Sequence, residues 1–200
     1  MTAIFSTAYL PPIAYVATLL HYPQALIEAK ETFPKQTYRN RAEIMTAGGI
    51  RTLTVPVIRD NHSRTEEVRI DYKERWNIIH LRTLSAAYSA SPYFLYYKDD
   101  LEALLTSRYD MLMDLNEALL TWILRLLKSD HPLPRTDDYQ KEYPLDYRNV
   151  FSPKRPYPTE KMECYYQVFS DRIPFTPNLS IIDLLMNLGP EAKDYLNRLS

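Results

Sequence analysis

Ala3-Ile4-Phe5-Ser6-Thr7-Ala8-Tyr9-Leu10-Pro11-Pro12-Ile13 opens the chain and decides its fold class. The apolar run over residues 3–7 reads as a short buried strand. Tyr9-Leu10-Pro11-Pro12 stops it, and Pro12 suits the first residue of a helix because the missing N–H is not needed there. Ile13, Val16, Ala17 and Leu20 then recur at helical spacing to about His21. Pro23 ends that helix, and Ala25 to Ala29 reads as a second strand. Strand, tight loop, helix, strand is the opening of a parallel α/β unit, which takes ligands outside the carboxyl ends of its strands.

Directly after the second strand comes Phe33-Pro34-Lys35-Gln36-Thr37-Tyr38-Arg39-Asn40-Arg41, with no acidic residue from Thr32 to Ala42. Arg offers a five-donor fork for carboxylate or phosphate, Lys a point charge, and Asn and Gln both donors and an acceptor. Two readings stand: the wall of a pocket for a small anionic or polyhydroxylated ligand, and a solvated surface loop.

Further along, Ala42 to Met45 reads as a short helical turn and Gly48-Gly49 as a tight turn. Arg51 to Arg59 alternates as a strand, with Pro56 placing it at an edge or a bulge. Asp60 to Thr65 is a polar hairpin-like loop, and Val68 and Ile70 form another short strand. Helices follow. Asp71 with Glu74 has capping-box spacing, and Trp76, His80, Leu84 and Tyr88 share one ridge. After Ser91-Pro92 a Tyr- and Phe-rich helix runs from about Tyr93 to Leu105. Asp110 is placed to cap a third, whose Leu112, Leu115, Leu119, Trp122, Ile123 and Leu126 form a core stripe. Residues 129–161 hold six prolines and little periodicity, an extended irregular connection. Met162, Cys164, Tyr166 and Val168 alternate as a final strand. Ser180 with Asp183 caps a helix from Ile181 to Leu188, which Gly189 ends and Pro190 follows with a last helix to the terminus. The expected class is α/β, one domain over residues 1–200: a small mostly parallel or mixed sheet flanked by helices, with a helical C-terminal half.

Composition excludes several functions. A formal net charge of −1 argues against a nucleic-acid partner, which calls for surplus Lys and Arg. Three glycines, Gly48, Gly49 and Gly189, cannot build a phosphate-cradling P-loop or GxGxxG turn. Cys164 stands alone, and its alternating apolar position reads as buried and inert. No apolar run approaches the ~18 residues that span a bilayer, and no basic leader opens the chain, so a cytoplasmic location without a membrane partner is expected. His21, His62, His80 and His131 lack HxH or HExxH spacing, so no metal and no cofactor is implied. His62 and His131 read as exposed. His80 reads either as a packing residue or as a general acid or base reaching a pocket. Asp99-Asp100 and Asp137-Asp138 read as solvated faces. The first loop occupies the place of a nucleotidyltransferase HxGH signature but has neither the histidines nor the glycine, which rejects that activity.

Five stretches in order and spacing carry a resemblance: Tyr9-Leu10-Pro11-Pro12-Ile13-Ala14-Tyr15; Phe33 to Arg41; Leu53-Thr54-Val55-Pro56-Val57; Trp76-Asn77-Ile78-Ile79-His80 with Tyr88 and Pro92-Tyr93-Phe94; and Tyr166-Gln167 with Leu179-Ser180-Ile181-Ile182-Asp183. Together they resemble the WbqC-like protein family over residues 4–128 and more loosely over about 163–192. Ser6-Thr7-Ala8 departs from the polar His/Gln-Pro-Asn type of sequence common before the Tyr-Leu-Pro motif, and 129–161 looks short and proline-rich. The resemblance implies a bacterial protein of surface polysaccharide (O-antigen-like) biosynthesis. It also implies a transferase-type activity, acyl or aminoacyl, on a sugar or nucleotide-sugar. The alternative is a non-enzymatic scaffold of a polysaccharide-assembly system. On the enzyme reading, Lys35, Arg39 and Arg41 neutralise an anionic group of a ligand such as a nucleotide-sugar. Gln36 and Asn40 orient it, Tyr9 and Tyr38 stack on a ring, and His80 with Lys35 serves the chemistry.

Overall fold

The computed structural model describes residues 2–155 and 157–199. Strand β1 (Ala3–Ser6) is buried along its whole length, as its unbroken apolar run requires of a central parallel strand. Helix α1 (Ile13–His21) starts after Pro12, which takes the extended N-cap position rather than the first helical one. The chain returns as β2 (Ala25–Glu28), pairing in parallel with β1 from Ala3 opposite Ala25 to Ser6 opposite Glu28. The α/β opening is therefore as the sequence has it.

Arg41–Thr46 is strand β3, not a helical turn over Ala42 to Met45, and it pairs antiparallel with β4 (Gly49–Thr54). Cross-strand pairing and the burial of Ala42 and Ile44 outweigh local residue preferences that a helix would also satisfy. Ala47-Gly48 make the turn between them, and Gly49, at φ 98°, opens β4. The expected strand from Arg51 to Arg59 splits at Val55-Pro56 into β4 and a two-residue β5 (Val57–Ile58), because Pro56 has no N–H for the ladder. β5 pairs with β6 (Arg69–Ile70).

Asp71 accepts from the Lys73 amide in a local turn, and helix α2 (Trp76–Tyr88) begins later without a side-chain cap. Asp110 likewise leaves helix α4 (Leu112–Leu126) uncapped; its carbonyl is taken by the Ile70 amide. Between them lies α3 (Phe94–Thr106). The α4 stripe is buried as expected, with Leu126 at its margin.

The proline-rich connection is ordered around the sheet. Its residues Leu145–Asp146 form β7, parallel to β1 on the side away from β2, and Arg135 bridges Ile27 on the outer edge of β2. No strand forms over Met162 to Val168. There the opposite phase faces inward: Gln167 is buried while Tyr166 and Cys164 are exposed, which corrects the expectation of a buried thiol. Ser180 caps α5 (Ile181–Leu188) through the Ile182 amide. Gly189 ends it, and α6 (Ala192–Leu199) closes against α1. Ser200, to which the last helix was expected to run, lies outside the described residues. The main hydrophobic core runs from Ala3 to Leu196, with a small second cluster of Met45, Phe169 and Leu179 beside it. Among the described residues, no helix is long and apolar enough to cross a membrane.

Candidate functional site

The Lys35–Arg41 stretch leaves the carboxyl side of β2 and runs into β3, and its cations have different fates. Lys35 and Gln36 are exposed at the tip, Gln36 in the left-handed region at φ 59°. Tyr38 is half-buried; its hydroxyl donates to Glu43 Oε2 at 2.8 Å and its carbonyl accepts from the Tyr9 amide at 2.8 Å. Burial and the Glu43 carboxylate raise its phenol above the ordinary value.

Arg39 is 2% exposed. Its Nε donates to Glu31 Oε1 at 2.8 Å, and its Nη2 reaches Glu31 at 2.7 Å and the Arg148 carbonyl at 3.1 Å. Burial raises the Glu31 carboxyl while Arg39 pulls it back. Asn40 donates its Nδ2 to the Val55 carbonyl at 2.9 Å, and its own carbonyl accepts from the Val55 amide, extending the β3–β4 ladder by one rung. Arg41, opposite Thr54, is half-buried; its Nε is buried with no acceptor, and no ion pair reaches it among the described residues.

Tyr9 is fully buried, so its ring has no open face for a ligand. Its hydroxyl lies 2.9 Å from His80 Nδ1, and Trp76 packs edge-on beside both rings. Burial raises the Tyr9 phenol, so it stays protonated and donates to Nδ1. The imidazole proton is then on Nε2, and the ring also hydrogen-bonds the Thr54 backbone. Burial pushes His80 down to about 4, Arg51 adding to the shift and the Thr54 contact opposing it, so the ring is neutral at pH 7. Thr54 thus holds His80, and through it Tyr9, by its backbone, and lies opposite Arg41 in the β3–β4 ladder. Lys35 and Gln36 stay at the loop tip, joined to none of these by a hydrogen bond or ion pair among the described residues.

Other polar residues are enclosed outside the expected site: Glu28 and Arg148, which sequence reasoning passed over, and Asp183, which was expected to cap α5 with Ser180 but turns its carboxylate to other partners. Glu28, last in β2, accepts from Thr136 Oγ1 at 2.8 Å, the Lys30 amide at 2.8 Å and Arg148 Nη1 at 3.1 Å. Arg148 also grips Asp146 through Nε at 2.9 Å, and its guanidinium lies near the rings of Tyr139 and Tyr143. Asp183 is fully buried and accepts from Tyr88, Tyr165 and Gln167 at 3.0, 2.6 and 2.8 Å. The short spacings of Asp146 with Arg148 and of Glu28 with Lys30 are local; the other partners lie far apart in the chain. His131, read as exposed, is half-buried, with Nδ1 2.8 Å from Ser129 Oγ.

The profile of the WbqC-like protein family matches residues 7–150 and 155–195, nearly the whole chain. The chain belongs to the WbqC-like protein family. This WbqC-like chain is also similar to the uncharacterized protein Rv1507c of Mycobacterium tuberculosis. The two are 28% identical over 228 residues, covering 97% of this chain and 96% of that protein. No solved structure matches at a comparable level. The WbqC-like match includes the Phe33–Arg41 stretch, Tyr9 and His80, and also Glu28, Glu31, Arg148 and Asp183.

Proposed function

We propose that this WbqC-like protein binds a small anionic ligand at Arg41 and works as a transferase-type enzyme on a sugar or nucleotide-sugar in surface polysaccharide biosynthesis. The observation that carries the binding step is the unpaired Arg41 guanidinium. A buried N–H without an acceptor costs about 1–3 kcal/mol; Arg41 Nε is such a group, and among the described residues no carboxylate pairs with its guanidinium. A phosphate or carboxylate oxygen would satisfy both demands. Lys35, Gln36 and Tyr38 are the neighbours in the chain with solvent access, and they supply a second charge, an orienting amide and a ring. Tyr9, Arg39, Asn40 and His80 form the frame behind them. The sugar and polysaccharide setting rests on the family resemblance alone.

The test is a thermal-shift screen against nucleotides, nucleotide-sugars, acyl-CoAs and amino acids, because a ligand of the native state raises Tm by mass action. A hit should vanish in Arg41→Ala, which keeps its stability to within about 1 kcal/mol. Arg39→Ala should instead lose about 3–5 kcal/mol, because it leaves Glu31 buried without its cation. A ligand that binds Arg41→Ala as well as wild type refutes the assignment. The Arg39–Glu31 ion pair favours a second reading, a scaffold in polysaccharide assembly. An empty screen together with a specific protein partner in pull-down would select it.

A further inference from the structure

Asn116, on α4, faces the end of β1 and is 1% exposed. Its Nδ2 donates to Thr7 Oγ1 at 3.0 Å and to the Arg39 carbonyl at 2.8 Å. A carbonyl can only accept, so the amide nitrogen must face Arg39 and the orientation of the group follows. That leaves Oδ1 buried without a donor among the described residues. Asn116 lines a chamber of about 20 Å³ with Thr7, among apolar side chains that include Leu133, and Arg135 lines it too. This volume takes one water-sized group. Glu117 and Leu133 also line a larger cleft of about 390 Å³, which His131 lines too; its Nε2 is a second buried nitrogen without a partner among the described residues. Arg135 links the walls, donating to Glu117 Oε2 at 3.0 Å through Nε and to Asp114 Oδ1 at 2.6 Å through Nη2.

We propose that the two cavities form one binding site for a small primary amine. Its ammonium group sits in the inner chamber on Asn116 Oδ1, and its body lies in the outer cleft beside His131. Thr7, Asn116 and Glu117 line the inner chamber together with Arg135, which holds Glu117; once Arg135 has left, the acceptors of that set are Asn116 Oδ1, the Thr7 hydroxyl and the Glu117 carboxylate. An ammonium group has three donors and no acceptor, which matches that set. An anion would meet Asn116 Oδ1 and Glu117 with the wrong sign. Entry requires Arg135 to swing away from Glu117. Its side chain is 38% exposed, and exposed ion pairs of this kind hold by about 1 kcal/mol or less. The chamber lies by Thr7, just past the carboxyl end of β1, on the side where parallel α/β sheets take ligands.

The experiment is thermal melting of the full chain with ethanolamine as probe. Ethylene glycol serves as the control without charge, and tetramethylammonium as the control with charge but no N–H. Ethanolamine should raise Tm by roughly 2–4 °C at about five times its Kd, and the two controls should not. Glu117→Gln, a change on the exposed side of α4, should weaken the apparent affinity about tenfold while melting normally without amine. Three results overturn the proposal: no shift with ethanolamine up to ~100 mM, the outcome of a chamber that holds only water; an equal shift with tetramethylammonium; or an unchanged response in Glu117→Gln. The anion reading at Arg41 stands or falls separately, since neither the probe nor the variant involves it.

Discussion

Tyr9 and His80 are 71 positions apart and meet at 2.9 Å, and the consequence is a histidine that resists protonation. The imidazole titrates near 6.5 when unfolded and is pushed down to about 4 in the fold. Between those values the unfolded chain binds the extra proton, so stability falls as pH drops from about 6.5 to 4 and levels off below. This group alone contributes a loss of up to about 3 kcal/mol. Burial raises the Glu31 and Asp183 carboxyls, which act with the opposite sign: the fold takes up their protons first, and their contribution to stability grows as pH falls. His80→Gln keeps an acceptor for Tyr9 and a donor for Thr54 but cannot titrate. Urea melts at pH 7 and pH 4 should therefore show wild type losing up to about 3 kcal/mol more than His80→Gln over that interval; parallel losses would contradict the neutral, buried histidine. The helical ridge from Trp76 to Tyr88 made the burial of His80 legible. Its hydrogen-bond partner was not, because nothing local to Tyr9 points to residue 80.

Helix α5 shows how an element ends when packing leaves no choice. Gly189 adopts φ 53°, and a Cβ placed there would collide with the Tyr93 ring. Tyr93 cannot easily retreat, because its amide is tied to the Met186 carbonyl at 3.0 Å. Gly189→Ala should cost about 2 kcal/mol or more, from overpacking together with left-handed strain. Gly48→Ala, whose Cβ would have only Thr46 Oγ1 near it at 3.9 Å, should stay within about 0.5 kcal/mol of wild type. Denaturant melts of the two variants test the contrast, and comparable losses would sink it. The Gly189-Pro190 stop was readable, as were the α1 and α4 periodicities, because each is written within a few turns of chain. β3 was not readable: Ala42, Glu43, Ile44 and Met45 suit a helix, and only the register with β4 makes Ala42 and Ile44 one buried face. Over Met162 to Val168 the alternation was real but its phase misled, because Asp183 draws in Tyr165 and Gln167 instead.

Across the molecule, the proline-rich connection acts as a strap for the parallel sheet. Arg148 secures it, joining fully buried Glu28 on β2 to Asp146 on β7 and to the carbonyls of Gln140 and Lys141 at 2.9 and 3.0 Å. Removing one partner of such a buried pair leaves an uncompensated charge, so Arg148→Ala should lose about 3–5 kcal/mol. It should also free β7 from β1 before the rest unfolds, seen as faster amide exchange and proteolysis within residues 139–148 than in α4. Uniform loss of protection across the chain would show that the strap is not a separate unit.

Strand, helix and stop signals are local. Apolar spacing, Pro11-Pro12, Pro23 and Gly189 act over one or two turns of chain, and from them the α/β opening, the helical C-terminal half and the family resemblance could all be read. The fates of the charges are not local. Arg39 and Arg41 are the same residue type two positions apart, yet one is closed inside against Glu31 and the other has a buried Nε with no acceptor among the described residues. Glu28 meets Arg148 across 120 positions. A buried charge is tolerable only where the packed chain brings an opposite charge or donors to it, and that depends on distant segments arriving together.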